Sequence, residues 1–121
     1  DVIPHSFEKE LRVGRALFQN AVDRVALMCD EHNRQIIITV KKDQMEIEAK
    51  SSEFGEATEP VPCIYDGPDF KVSYNPTFLH DIIAALEGDD IIYQLNDPAR
   101  QGCFKGTGDD NHLCILMPIK I

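Results

Sequence analysis

The ten residues FKVSYNPTFL, positions 70–79, run from a strand straight into a helix, and they fix how the rest of the chain is parsed. Phe70 to Tyr74 reads as the strand. Asn75 offers a side-chain oxygen to cap a helix, and Pro76 suits the first helical position, where no backbone donor is needed. The helix reaches about Glu87. Phe78, Leu79, Ile82, Ile83, Ala85 and Leu86 lie on one side of it and Thr77, His80, Asp81, Ala84 and Glu87 on the other. Gly88 stops it. Three strands follow, at Ile91–Leu95, Gly102–Lys105 and Leu113–Met117, the last two separated by the Gly-rich stretch Gly106–Asn111.

Upstream of the break at Gly67-Pro68 the same order of elements is legible. Ser6–Val13 is a strand ended by Gly14, and Arg15–Asp30 has helical periodicity. Leu17, Phe18, Ala21, Val22, Val25, Met28 and Cys29 share one side of that helix, with Arg15, Gln19, Asn20, Asp23, Arg24 and Asp30 on the other. Leu27 falls on the polar side, either by chance or because something outside the domain covers it. After a turn at Glu31–Asn33, the β-branched run Gln35–Lys42 pairs as a hairpin with Met45–Ala49. Glu56–Tyr65 makes a third strand. Pro60 and Pro62 cannot donate to a neighbour, so that strand is expected at an edge or bulged.

The chain is therefore read as strand, helix and three strands, twice over, with units at about 6–66 and 67–121. The expected class is α+β, a pseudo-two-fold domain whose two helices lie side by side on one face of antiparallel sheet. At 121 residues it is one domain by length. The opening Asp1-Val2-Ile3-Pro4 without an initiator Met is expected of a piece of a longer protein.

Lys and Arg total 12 against 21 Asp and Glu, a net charge of −9. Such a chain is not expected to coat nucleic acid or an anionic membrane indiscriminately. Cys29, Cys63, Cys103 and Cys114 form no Cys-x-x-Cys pair and lack zinc-finger histidines, so they read as reduced thiols of a cytoplasmic protein, with no metal or cofactor implied. His80-Asp81 sets a base beside an acid, but adjacent helical residues point about 100° apart and do not face each other. Glu46, Glu48, Glu53, Glu56 and Glu59 make an acidic stretch that is either a solvated face or a dock for a basic partner. The terminal LCILMPIKI, residues 113–121, is apolar where chain ends are usually polar. It is either core throughout or core up to Met117 and then one wall of a groove.

Taken together, the Val2-Ile3-Pro4 lead, the first helix with its Arg24-Val25-Ala26-Leu27 core, the 70–79 stretch, the Leu95-Asn96-Asp97-Pro98 turn and the terminal Leu116-Met117-Pro118-Ile119-Lys120-Ile121 closely resemble the third, C-terminal domain of the bacterial sliding clamp, the β subunit of DNA polymerase III. The resemblance spans nearly the whole chain in order. It implies the DNA-clamp fold and a non-catalytic processivity factor that in the full-length protein is a ring dimer around duplex DNA. Its implied partners are polymerase subunits, the clamp loader and repair proteins, each docking through a short glutamine-leucine-x-leucine-phenylalanine type motif.

Carried over by position, the groove walls would be Val2, Asn75, Phe78, Ala99, Gln101 and the run Ile115, Leu116, Met117, Pro118, Ile119, Lys120 and Ile121. Arg15, Arg24 and Arg34 would face weakly and non-specifically held duplex DNA. Leu27, Met28, Glu53, Glu56 and Glu59 would lie at the protomer interface. Asn33 and Cys114 stand where the family often has aromatics. The alternatives are a small acidic α+β enzyme built around His80-Asp81 and a purely structural interaction module.

Overall fold

The computed structural model describes residues 7–29, 34–51, 55–109 and 112–120. The first unit is β1 (Lys9–Gly14), α1 (Arg15–Ala26), β2 (Ile36–Lys41), β3 (Gln44–Ser51) and β4 (Gly55–Pro62). The second is β5 (Phe70–Tyr74), α2 (Pro76–Ala85), β6 (Asp90–Leu95), β7 (Gly102–Gly106) and β8 (Leu113–Leu116). Both helices end sooner than their apolar periodicity. Beyond α1 the backbone tightens, with Leu27, Met28 and Cys29 each donating to the carbonyl three residues back. Met28 and Cys29 therefore still pack on the core although they lie outside the helix. Asn75 caps α2 as its position demands, its Oδ1 accepting from the Thr77 and Phe78 amides at 2.8 and 3.3 Å.

The strands form two antiparallel four-stranded sheets, ordered β1-β6-β7-β8 and β4-β3-β2-β5. Each unit lends its first strand to the other unit's sheet: β1 pairs with β6, and β5 with β2. The exchange ties the two units into one core. The sheets are also stitched at their margins. Arg12, three residues before α1, exchanges backbone hydrogen bonds with Ile64 at 3.0 and 2.8 Å; Ser73, three residues before α2, accepts from the Ile119 amide at 2.8 Å. The same stitch thus occurs once in each half of the pseudo-two-fold.

β4 and β8 are the remaining outer strands. Pro60 and Pro62 lie on β4, in regular register with Glu46 and Gln44, so the edge placement accommodates them without a bulge.

The two helices pack against each other and onto the sheets. Phe18, Ala21, Val22 and Val25 of α1 and Leu79 and Ile83 of α2 are buried, together with Ile36, Ile38 and Val40 of β2 and Met45 and Ile47 of β3. Each such large side chain contributes about 1.5–3 kcal/mol on leaving water. Leu17, assigned by periodicity to the apolar side, is instead 55% exposed. Beneath β5, β6 and β7 an aromatic cluster fills the interior. Tyr93 stacks on Phe104 at 4.5 Å, Tyr74 meets both edge-on, and the two tyrosine hydroxyls hydrogen-bond at 2.6 Å.

Candidate functional site

β8 ends at Leu116, and Pro118 then removes a backbone donor. The first amide able to bond beyond it is that of Ile119, which crosses to the Ser73 carbonyl on β5. The tail thereby forms one side of an open cleft of about 530 Å³, lined by Lys71 and Ser73 of β5, Asp97, Pro98 and Ala99 of the turn after β6, and Pro118, Ile119 and Lys120 of the tail. That turn is rigidly made. Asp97 Oδ1 accepts from the Ala99 amide at 2.9 Å, the Asp97 carbonyl accepts from the Arg100 amide at 2.9 Å, and the Asn96 carbonyl accepts from Lys9 Nζ at 2.7 Å.

Apolar surface lies exposed on the tail and on the neighbouring β8 and α2. Ile115 and Met117, two residues apart, are 46% and 63% exposed, while Leu116 between them packs on the core. Phe78, in the first turn of α2, is 58% exposed, and α2 packs against β8.

Of the expected groove residues, Ala99, Pro118, Ile119 and Lys120 line the cleft directly. Phe78, Ile115 and Met117 are the exposed apolar residues on the flanking elements, Asn75 holds the α2 cap, and Gln101 is half-buried just before β7. Val2 and Ile121 lie outside the described residues. Lys71, Ser73, Asp97 and Pro98 were not anticipated as walls. The signal for two of them was present, since Phe70, Val72 and Tyr74 alternate into the core and put Lys71 and Ser73 on the other face, where Lys71 is exposed and Ser73 is buried with its hydroxyl donating to the Ile36 carbonyl.

The helix pair carries the second surface. The three arginines expected to face DNA are each engaged within the chain. Arg15 donates to the Ile83 and Ala84 carbonyls at the end of α2, at 3.1 and 3.3 Å. Arg34 reaches the Ala26 carbonyl and the Thr77 hydroxyl. Arg24 grips Glu59 Oε1 through two nitrogens, at 3.1 and 2.8 Å. The geometry therefore brings together a residue expected to face DNA and one expected at the protomer interface. His80 bonds Asp23 of α1 at 2.7 Å rather than its neighbour Asp81, so the tie joins the two helices.

The third surface is the β4 margin. Leu27 is 81% exposed just past the end of α1, Met28 is half-buried, Glu56 is exposed and Glu59 is held by Arg24. Glu53 lies outside the described residues.

Three of the four thiols are held in their protonated form. Burial, with the Asp43 carboxylate beside it, pushes the Cys63 thiol up to about 11, and burial also raises Cys103 and Cys114. Raised thiol pKa values mean little thiolate at neutral pH. Among the described residues no group of three or more His, Cys, Asp or Glu is arranged to hold a metal. No helix among them is long and apolar enough to cross a membrane.

Residues 1–120 match the family model described as the DNA polymerase III beta subunit, C-terminal domain. The chain belongs to that family. The subunit is an accessory to the polymerase and not itself a catalyst. The beta sliding clamp of Caulobacter vibrioides is 30% identical over 120 residues, covering 99% of this chain and 32% of the relative. The crystal structure of the C. crescentus beta sliding clamp, with polyethylene glycol at a region assigned to beta-motif tethering, superposes with a TM-score of 0.93 at 30% identity, covering 99% of this chain and 32% of that one. The DnaN sliding clamp of Bartonella birtlesii bound to griselimycin gives a TM-score of 0.93 at 25% identity, covering 99% and 32%. The chain thus spans about a third of the length of the relatives it matches. The clamp α+β fold, with its paired helices and antiparallel sheets, is the one this sequence adopts.

Proposed function

We propose that this chain is the partner-docking domain of a ring-shaped processivity factor, and that the cleft beside its tail takes short peptide segments of polymerase subunits, the clamp loader and repair proteins. The observation that carries the reading is the cleft at Pro118–Lys120 with exposed Phe78, Ile115 and Met117 on the elements beside it. An extended segment with two apolar anchors would bury those side chains and leave its polar residues at the rim. The polyethylene glycol in the tethering region of the Caulobacter clamp is consistent with a ligand-accepting surface on such proteins.

In the same reading the α1–α2 face looks onto duplex DNA in the cytoplasm, without sequence preference, and Leu27 with the β4 margin meets a second protomer in the full-length ring. The near-neutral helix face suits loose contact with phosphate rather than a grip. The His80-Asp81 pair on which the rival enzyme reading rests is not the one formed, since His80 bonds Asp23.

The test is fluorescence anisotropy with a labelled glutamine-leucine-x-leucine-phenylalanine peptide. Binding is expected, and Met117→Ala and Phe78→Ala are each expected to weaken it fivefold or more, as truncating an anchor contact costs over about 1 kcal/mol. Absence of binding at millimolar protein, or unchanged affinity in both variants, would sink the proposal.

A further inference from the structure

The two walls of the tail cleft come from different sheets. Lys71 and Ser73 lie on β5, which pairs in the sheet β4-β3-β2-β5, whereas Asp97, Pro98 and Ala99 belong to the stretch 96–101 that joins β6 to β7 of the other sheet. No strand pairing among the described residues links β5 to β6 or β7, so the width of the cleft depends on what holds the turn. Its internal bonds, from the Ala99 and Arg100 amides to Asp97, fix its shape but not its place. Its place is set at Asn96. The Asn96 Oδ1 accepts from the Glu8 amide at 2.7 Å and the Asn96 carbonyl from Lys9 Nζ at 2.7 Å; among the described residues these are the hydrogen bonds that tie the turn to another part of the chain. Lys9 opposes Leu95 in the β1–β6 ladder, so the two bonds carry the attachment one residue past the ladder's end. The Lys9 side chain is only 13% exposed, where lysines usually lie in water, and the Glu8 carboxylate is 3.9 Å away and 77% exposed. The ammonium is therefore committed to the Asn96 carbonyl, and a hydrogen bond from a charged donor is roughly twice as strong as a neutral one.

Resting on the groove reading above, we infer that Lys9 is a positioning residue for the cleft. It does not line the cleft itself; it holds the Asp97–Ala99 wall at the distance from the tail at which a docked segment is gripped from both sides. The tail wall is fixed independently, through the Ile119–Ser73 bond. A wall already in place does not have to be ordered when the partner arrives, and that saving appears as affinity.

The experiment measures the affinity of the 121-residue chain for the labelled glutamine-leucine-x-leucine-phenylalanine peptide alongside NMR order parameters of the backbone amides. Lys9→Met removes the ammonium and keeps an apolar stem, so the fold and the urea midpoint should hold. Binding should weaken about threefold to tenfold, the size of an effect transmitted through neighbouring groups. The amides of Asp97, Ala99 and Arg100 should drop from the rigid order parameter of about 0.85 toward about 0.6, while those of α2 stay unchanged. Asn96→Ala, which removes the acceptor of the Glu8 amide, should produce the same two changes, and Lys9→Arg, which keeps a charged donor, should retain both binding and order. Unchanged affinity in both Lys9→Met and Asn96→Ala, or weakened binding with the turn as ordered as before, overturns this inference, and Met117→Ala and Phe78→Ala then still report on the groove. If the unsubstituted chain does not bind the peptide, the groove reading falls and the inference with it.

Discussion

Tyr74 and Tyr93 are essentially sealed from water, and among the described residues their hydroxyls bond each other, at 2.6 Å. A side chain added at Gly102 would collide with the Tyr74 hydroxyl, so the packing there is already tight. Replacing Tyr93 with Phe removes one oxygen and strands the Tyr74 hydroxyl without a partner, and Tyr74→Phe does the reverse. An orphaned buried hydroxyl costs about 1–3 kcal/mol, whereas removing both partners forfeits only the net bond, about 0.5–1.5 kcal/mol. Each single variant should therefore lose about 2 kcal/mol, and the double variant no more than either single. The coupling energy of the cycle should be about 3 kcal/mol. With a urea m-value of about 2 kcal/mol/M, each single lowers the unfolding midpoint by about 1 M, easily read by far-UV circular dichroism. Single variants within about 0.5 kcal/mol of wild type, or a double variant equal to the sum of the singles, would refute the reasoning.

Two further outcomes follow from other parts of the molecule. Burial raises the Cys63 thiol from 9.0 to about 11 and raises Tyr74 and Tyr93 above 10.0. Groups whose pKa is higher when folded stabilise fully below the unfolded value and lose that contribution as pH rises past it, so stability should hold to about pH 9 and fall above it. Urea midpoints measured against pH should show this, with Cys63→Ala flattening the segment between pH 9 and 11; an unchanged alkaline slope in that variant would count against the assignment. On the helix face, Glu59→Gln frees the Arg24 guanidinium at little cost in stability, since an exposed pair is worth about 0.2–1 kcal/mol. Weak duplex binding at low salt should rise by several fold, and an unaltered affinity would mean that Arg24 does not reach DNA.

How much of this was legible in the residues differs by kind of information. The order of elements was, because each rests on local chemistry: β-branched Ile36–Lys41, the Asn75-Pro76 cap, and Gly88, whose φ of 108° suits glycine where α2 must stop. The exchange of β1 and β5 between sheets was not. Strands with similar alternation carry no label for their partner, and the choice depends on burying both helices over both units at once. The same limit explains Leu17, which helical periodicity alone assigns to the core although the packing leaves it exposed. At the cleft, residues of the tail could be named from sequence, whereas Asp97 and Pro98 become walls only because Asn96 is pinned to Lys9 and the tail to Ser73.

The arginines expose the sharper limit. From sequence, Arg15, Arg24 and Arg34 are the cations of the helix face, able to touch a duplex backbone only weakly. In the fold their long side chains reach across elements and spend that charge on the end of α2, on Thr77 and on Glu59. Arg15 and Arg34 sit at opposite ends of the same helix pair, each at the C-terminal carbonyls of a helix, where the helix dipole favours positive charge. They thereby help fix the two helices side by side. A phosphate contact would have to compete with those bonds, so few counterions would be released on meeting DNA and the salt dependence should be shallow. In the function proposed above, a surface of that kind would lie against a duplex without binding any stretch of it tightly.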